Sequence, residues 1–286
     1  MIVIEYYLKE STILKKRYRV VEPLGKGGFG LTYKCMDLHR GEFAAIKEFF
    51  PRGSERGDAL EVIPGSADLR EAYYDKLSSF SEEFRIISTI SDIHVVKVLD
   101  FFTENNTAYY VMEFISGMNL KDYGKHNGRL DQKRSFEIID DILKGVASIH
   151  ESGYIHGDLK PTNVMLTDDG KIKVMDFGAA CLKDTFYSYE ASKVVSMSYA
   201  CPEKFFASST PELSWDIYSV GGILYFLLSG IDPIPATDRV RGIPLELSMI
   251  SRKPKAIIEK SMALVATRRF RDTAHFRKAI NGRLFL

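Results

Sequence analysis

Six residues, Gly25-Lys26-Gly27-Gly28-Phe29-Gly30, hold four glycines, and the element type on their C-terminal side separates one architecture from another. A dinucleotide-binding fold or a Walker-type loop needs a helix directly after such a cluster. Here Leu31, Tyr33 and Cys35 alternate with Thr32 and Lys34, which is the period of a strand. The preceding "RYRVVEPL" is strand-like too. The glycines are therefore expected to cap a β-hairpin, a flap whose backbone N–H groups can approach phosphate oxygens closely. A plain glycine-rich hairpin has the same local pattern, so the cluster takes its meaning from its neighbours.

Those neighbours are more strands. "EFAAIKEFF" is closed by Pro51, and "VVKVLDFFTE" and "TAYYVMEFI" are joined by Asn105 and Asn106. Between them lies a polar stretch with Pro64 and Gly65. After it comes "SFSEEFRIISTI", where Phe80, Phe84, Ile87 and Ile90 recur at helical spacing. Beyond Gly117 the character changes. "SFEIIDDILKGVASIHESG" reads as an amphipathic helix with Phe136, Ile139, Leu143 and Val146 on one face, ended by Gly153. The expectation is an α+β chain: one domain over 1–286, with a β-rich lobe to residue 115, a mostly helical lobe over 116–286, and a ligand cleft between them.

Composition excludes other classes. Lysine and arginine total 39 against 38 acidic residues, a net charge of +1, which argues against a nucleic-acid or membrane binder. The cysteines, Cys35, Cys181 and Cys201, lack metal-ligand spacing and suit a reducing compartment. "MIVIEYYLKE" is not a signal peptide, and "SVGGILYFLLSGI" is too short to span a bilayer and reads as a buried helix. A cytoplasmic location is expected.

Chemistry-bearing residues punctuate this frame. Lys47 comes after the apolar run Ala44-Ala45-Ile46, so its ammonium can reach phosphates under the flap if a carboxylate holds it. Glu83 is favoured over Glu82 by its register with the apolar helix face. Further on, "VML" and "KIKVM" flank "TDDG", a hairpin signal. Folding that hairpin brings Asn163 beside Asp176, an amide oxygen and a carboxylate suited to a hard cation such as Mg²⁺. Asp158, five residues before Asn163, can orient a hydroxyl and accept its proton. Each residue alone is commonplace; their order is not.

That order resembles the protein-kinase signature. "GKGGFG" stands for the glycine-rich loop and "AAIK" for the strand bearing the ATP lysine; "HGDLKPTN" stands for the catalytic loop and "DFG" for the metal-binding motif. "SYACPE" resembles the end of the activation segment, and "WDIYSVGGILYFLLSG" the central helix of the large lobe. The match runs from about Tyr18 to Ile280. "GGFGLTY" and "AIKEFFP" are similar to bacterial Ser/Thr kinases in particular. The resemblance implies a bilobal kinase fold and transfer of the ATP γ-phosphate to protein Ser/Thr hydroxyls, autophosphorylation included. It implies Mg²⁺, with Mn²⁺ able to substitute, on Asn163 and Asp176. Asp158, Lys160, Lys47, Glu83 and Ser196 would be catalytic. Nucleotide would meet Gly25, Lys26, Gly27, Gly28, Phe29, Gly30 and Lys47. Its adenine would bond the backbone of Glu113 and Ile115, next to Met112, and pack between Thr32, Ala45 and Met165. Val98, Ile87, Phe177 and His156 would stack as a spine. Asp216 would brace the catalytic loop, and Arg269 would pair with Glu203.

The chain departs from the pattern at Thr32, at Cys201 and at Gly157, where many kinases carry an arginine that clamps an activation-loop phosphate. Acceptors are plentiful (Thr185, Tyr187, Ser188, Tyr189, Ser192, Ser196), but Gly157 supplies no charge, and Lys183 and Lys193 lie on the segment itself. Phosphorylation there is expected to change the rate less than about tenfold. "HGD" also occurs in small-metabolite kinases of the same broad fold; Lys160 and the Cys201-Pro202-Glu203 segment favour a protein substrate. A partner-binding pseudokinase is the third reading, and the complete set of polar motif residues stands against it.

Overall fold

The computed structural model describes residues 6–27, 30–65, 68–183, 196–206 and 209–282. The chain divides into two compact units, residues 1–89 with 96–115, and residues 90–95 with 116–286. In the first, β1 (Ile13–Leu14), β2 (Tyr18–Lys26), β3 (Gly30–Asp37), β4 (Glu42–Phe49), β7 (Val98–Glu104) and β8 (Thr107–Glu113) form one antiparallel sheet, ordered β1-β2-β3-β4-β8-β7. The glycine cluster joins β2 to β3; Gly28 and Phe29 lie outside the described residues. At Gly30 a Cβ would stand 2.3 Å from the Glu48 carbonyl oxygen, so the hairpin lies against β4 only because that position is glycine.

The polar stretch after Pro51 is more ordered than its composition suggests. It holds a second hairpin, β5 (Ser54–Arg56) with β6 (Val62–Pro64), before helix α1 (Asp68–Ser88). Strand parity decides what β4 presents to each side, since successive side chains point to opposite faces. On one face, Phe49 packs with Phe80 and Tyr73 of α1, and Phe80 stacks on Tyr110 at 5.0 Å between ring centroids. On the other, Ile46 and Glu48 are fully buried beside Tyr33, Tyr109 and Val111. Glu48 is a buried carboxylate with a full set of donors. Oε1 accepts from Tyr109 Oη (2.6 Å) and Arg56 Nη1 (3.0 Å), and Oε2 from Tyr33 Oη (2.8 Å) and Arg56 Nη2 (2.5 Å). Arg56 Nε also donates to the Tyr6 carbonyl, and the Leu8 amide to Tyr33 Oη, so one carboxylate fastens the chain start and the inserted hairpin to the sheet. Burial and the Glu48 charge push both phenols above their ordinary range.

The second unit is mostly helical: β9 (Gly117–Asn119), α2 (Leu120–Asn127), α3 (Gln132–Glu151), β10 (Tyr154–Ile155), β11 (Val164–Thr167), β12 (Ile172–Val174), β13 (Cys181–Leu182), α4 (Leu213–Ser229), α5 (Ala236–Val240), α6 (Arg252–Ser261) and α7 (Thr273–Ile280). Asp131 caps α3 by accepting from the Arg134 amide. The buried face of α3 carries Ile138, Ile139, Ile142, Leu143, Val146 and Ile149. Phe136, expected on that face, is only half-buried and lies under Lys253, 5.4 Å from its ring centroid. Helix α4 is buried on all sides, and no side chain from Trp215 to Leu227 is exposed, which makes it the axis of this unit's core. No described helix is long and apolar enough to cross a membrane.

Candidate active site

In the first unit, Lys47 Nζ meets Glu83 Oε1 at 2.9 Å, and Tyr110 Oη donates to the same oxygen at 2.9 Å. Lys47 and Tyr110 are cross-strand partners, so sheet register delivers both groups to the α1 face. Glu82, the competing carboxylate, pairs instead with Arg85 on the exposed side of the helix. Thr32 is the partner of Lys47 on β3, and Ala45 lies two residues before it on the same face, nine-tenths buried. Met112 and Glu113 end β8; the Glu113 amide is spent on the Lys97 carbonyl at 2.9 Å. Gly25, Lys26 and Gly27 stand at the β2 end of the glycine hairpin. Ile87 is buried and Val98 half-buried within this unit.

In the second unit, β11 and β12 pair antiparallel with Val164 opposite Val174, and the Met175 amide donates to the Asn163 carbonyl at 2.9 Å. The hairpin expected from "TDDG" thus sets Asn163 and Asp176 at one end. Asp176 adopts φ +63°, a left-handed conformation that aspartate tolerates better than most residues. Asn163 Nδ2 donates to the Asp158 carbonyl (2.9 Å) and to Asp158 Oδ2 (3.3 Å), which turns its amide oxygen away from that carboxylate. An amide oxygen and one carboxylate suit Mg²⁺, which keeps several waters and takes further oxygens from phosphates. Met165, on β11, is half-buried between Lys173 and Asn119 in register.

Asp158 is joined to Ser196, thirty-eight residues on, through one ammonium. Lys160 Nζ lies 2.6 Å from Asp158 Oδ2 and donates to Ser196 Oγ at 2.8 Å. Behind this pair, the Asp216 carboxylate, fully buried, accepts from the amides of His156 and Gly157 (both 2.9 Å) and lies 2.8 Å from His150 Nε2. Burial alone would raise that carboxyl, but the hydrogen bonds from His150 and the Gly157 amide hold it below the ordinary carboxylate range. His156 is fully buried. Its Nδ1 accepts from the Asp158 amide at 3.3 Å, its Nε2 faces the Met175 carbonyl at 3.1 Å, and its ring lies 4.9 Å from that of Phe177. Glu203 and Arg269 form an ion pair at 2.8 Å, with the arginine side chain fully buried. Burial pushes the Cys35 thiol up to about 12 and that of Cys181 up to about 11, so neither is a nucleophile near neutral pH.

Tyr110, His150 and Lys204, whose Nζ donates to the Gly157 carbonyl oxygen, belong to these networks and were not expected from the sequence. Register against Lys47 could have found Tyr110; nothing in the local sequence marks the other two. Thr185, Tyr187, Ser188, Tyr189, Ser192 and Lys193 lie outside the described residues.

A model of the protein kinase domain family matches residues 18–267. The chain belongs to the protein kinase family. This kinase domain is 32% identical over 232 residues to a probable serine/threonine-protein kinase of Clostridium acetobutylicum, covering 80% of this chain and 32% of that one. It is 32% identical over 230 residues to the probable serine/threonine-protein kinase PknB of Lactococcus lactis (80% and 34%). To the serine/threonine-protein kinase PrkC of Bacillus subtilis it is 29% identical over 225 residues (78% and 32%). The matched region is about a third of the length of each of these relatives. Among solved structures, "PpkA-294 apo form" shares the fold, with a TM-score of 0.86 and 22% identity over 96% of this chain and 100% of that one. The fold of this kinase domain is therefore the bilobal α+β kinase fold.

Gly157 is one of the departures from the family pattern, and its backbone explains the residue. Its φ is +76°, and a Cβ there would stand 2.6 Å from the Ala179 carbonyl oxygen. Gly157→Ala is expected to lose about 2 kcal/mol of stability or more in chemical denaturation, from the left-handed backbone and the clash together. A loss under about 0.5 kcal/mol would show that the loop relaxes freely.

Proposed function

We propose that this kinase domain transfers the γ-phosphate of ATP to serine and threonine hydroxyls of proteins, itself included. The observation that carries the reading is the bridge Asp158–Lys160–Ser196, which supports it by tying the residue proposed to receive the hydroxyl proton to the segment proposed to dock a peptide. The names of the bacterial relatives support the same substrate class.

In this reading Asp158 orients the acceptor hydroxyl and takes its proton as the new O–P bond forms and the β–γ phosphoanhydride bond of ATP breaks, with ADP leaving. Lys160 balances charge on the transferring group, and Ser196 holds that ammonium in place. Lys47, fixed by Glu83 and Tyr110, orients the α- and β-phosphates. Asn163 and Asp176 would hold Mg²⁺ or Mn²⁺, which when bound neutralises phosphate charge. Gly25, Lys26, Gly27, Gly28, Phe29 and Gly30 would cover the phosphates. The backbone of Glu113 and Ile115, with Met112, Thr32, Ala45 and Met165, would take the adenine. Positioning and electrostatics supply most of the acceleration. Three free cysteines, two of them buried, suit a reducing, ATP-containing cytoplasm.

The test is transfer of γ-labelled phosphate from ATP to a degenerate Ser/Thr peptide mixture and to a panel of small hydroxylated metabolites. Label on serine and threonine, lost in Asp158→Asn, is expected. Label on metabolites alone would point to a small-molecule kinase, and no label to a pseudokinase. Ser196→Ala is expected to lower kcat about tenfold, about 1.4 kcal/mol, with the KM for ATP within twofold. An equal loss in both would assign Ser196 to the surface rather than to the Lys160 bridge.

A further inference from the structure

Lys204 directly succeeds the Cys201-Pro202-Glu203 motif, yet its ammonium is turned inward. The residue is 3% exposed; Nζ donates to the Gly157 carbonyl oxygen and lies 5.3 Å from the centre of the Trp215 ring. A Cβ on Gly157 would stand 3.4 Å from that nitrogen. The lysine therefore fills the space that a side chain at 157 would enter. A buried ammonium is costly unless its charge is met by good partners, so its retention here calls for a role.

The geometry of the catalytic loop points to one. The Gly157 carbonyl and the Asp158 amide are two ends of one peptide plane. Lys204 holds the oxygen, and His156 Nδ1 accepts from the N–H at 3.3 Å. The preceding N–H, of Gly157 itself, is held by Asp216 at 2.9 Å. Glycine is the residue with most backbone freedom, and it stands directly before the proposed proton acceptor. Without a donor on its carbonyl, that plane can rotate and carry the Asp158 side chain with it.

We infer that Lys204 is a positioning residue that locks the Gly157–Asp158 peptide, placing at the end of the activation segment the positive charge that Gly157 cannot supply. The proposal rests on the phosphotransfer reading above and extends it: the cation here is a lysine already seated on the catalytic loop, so correct placement of Asp158 does not wait for a phosphate.

The experiment compares wild type, Lys204→Met and Lys204→Gln on one Ser-containing peptide with Mg·ATP, each as the full chain. Tm and ATP affinity by thermal shift are measured in parallel, and rates are expressed per folded molecule. Lys204→Met is expected to lower kcat at least tenfold, with the KM for ATP within threefold. A lysine that merely supports the fold would lower Tm and leave kcat per folded molecule within fivefold of wild type, and that result overturns the proposal. Should the methionine variant not fold, Lys204→Gln, which keeps a shorter neutral donor, is read by the same fivefold criterion. Phosphatase-treated and fully autophosphorylated wild type are expected to differ less than tenfold; a hundredfold stimulation by phosphate would overturn the lock. Absence of any Asp158-dependent transfer in wild type would overturn the phosphotransfer reading itself. A wild-type rate unaffected by either Lys204 substitution would overturn this proposal alone.

Discussion

Asp176→Asn is expected to lower phosphoryl transfer by about a thousandfold, about 4 kcal/mol of transition-state stabilisation, while leaving the fold in place. Asparagine is the sharper substitution because of the backbone. At φ +63° an alanine would add about 1–2 kcal/mol of conformational cost to the chemical loss, whereas asparagine tolerates that region much as aspartate does. What changes is one negative charge at the end of the β11–β12 hairpin, beside Asn163. Thermal unfolding is expected within about 4 °C of wild type. The extra stabilisation that Mg²⁺ adds to ATP binding is expected to disappear. Transfer within tenfold of wild type, or an undiminished Mg²⁺ effect, would remove Asp176 from the metal role. Lys47→Ala is expected to lose transfer as severely, but with some loss of stability, because Glu83 is buried and would retain the Tyr110 hydroxyl in place of its counter-ion.

Glu48→Gln is expected to cost about 3–5 kcal/mol in chemical denaturation, the largest stability effect among these substitutions. An amide can accept on one atom only, so two of the four donors that reach Glu48 lose their acceptor, and the buried Arg56 guanidinium loses its counter-charge. Removing both charges, as in Glu48→Met with Arg56→Met, is expected to cost less than Glu48→Gln alone, because no isolated buried ion remains. A loss below about 1 kcal/mol in Glu48→Gln would mean that water reaches this network.

These two residues mark the boundary of what the sequence makes legible. Asp176 stands in a motif whose partners are spaced along the chain, and the Asp-Gly turn between two short apolar runs is enough to fold it toward Asn163. Glu83 over Glu82 comes from helical register, and the glycine hairpin from strand alternation after Gly30. Each inference needs only a local period and a turn. Glu48 carries no such signal: next to Lys47 in "AIKEFF" it reads as an ordinary polar strand residue. Its burial depends on Tyr33, Arg56 and Tyr109, eight to sixty-one residues away. The hairpin that brings Arg56 is itself hidden in a polar stretch.

By itself, then, the sequence determined the α+β class, the main strands and helices and the order of the polar motifs proposed for phosphotransfer, because periodicity, turn chemistry and motif order are properties of neighbouring residues. The tertiary structure alone decided which charges are buried and what they hold. Lys204 and Glu48 look like surface residues in one dimension. Each is inward because distant segments close over it, and a buried ion is retained only where those segments bring it a complete set of hydrogen-bonding partners.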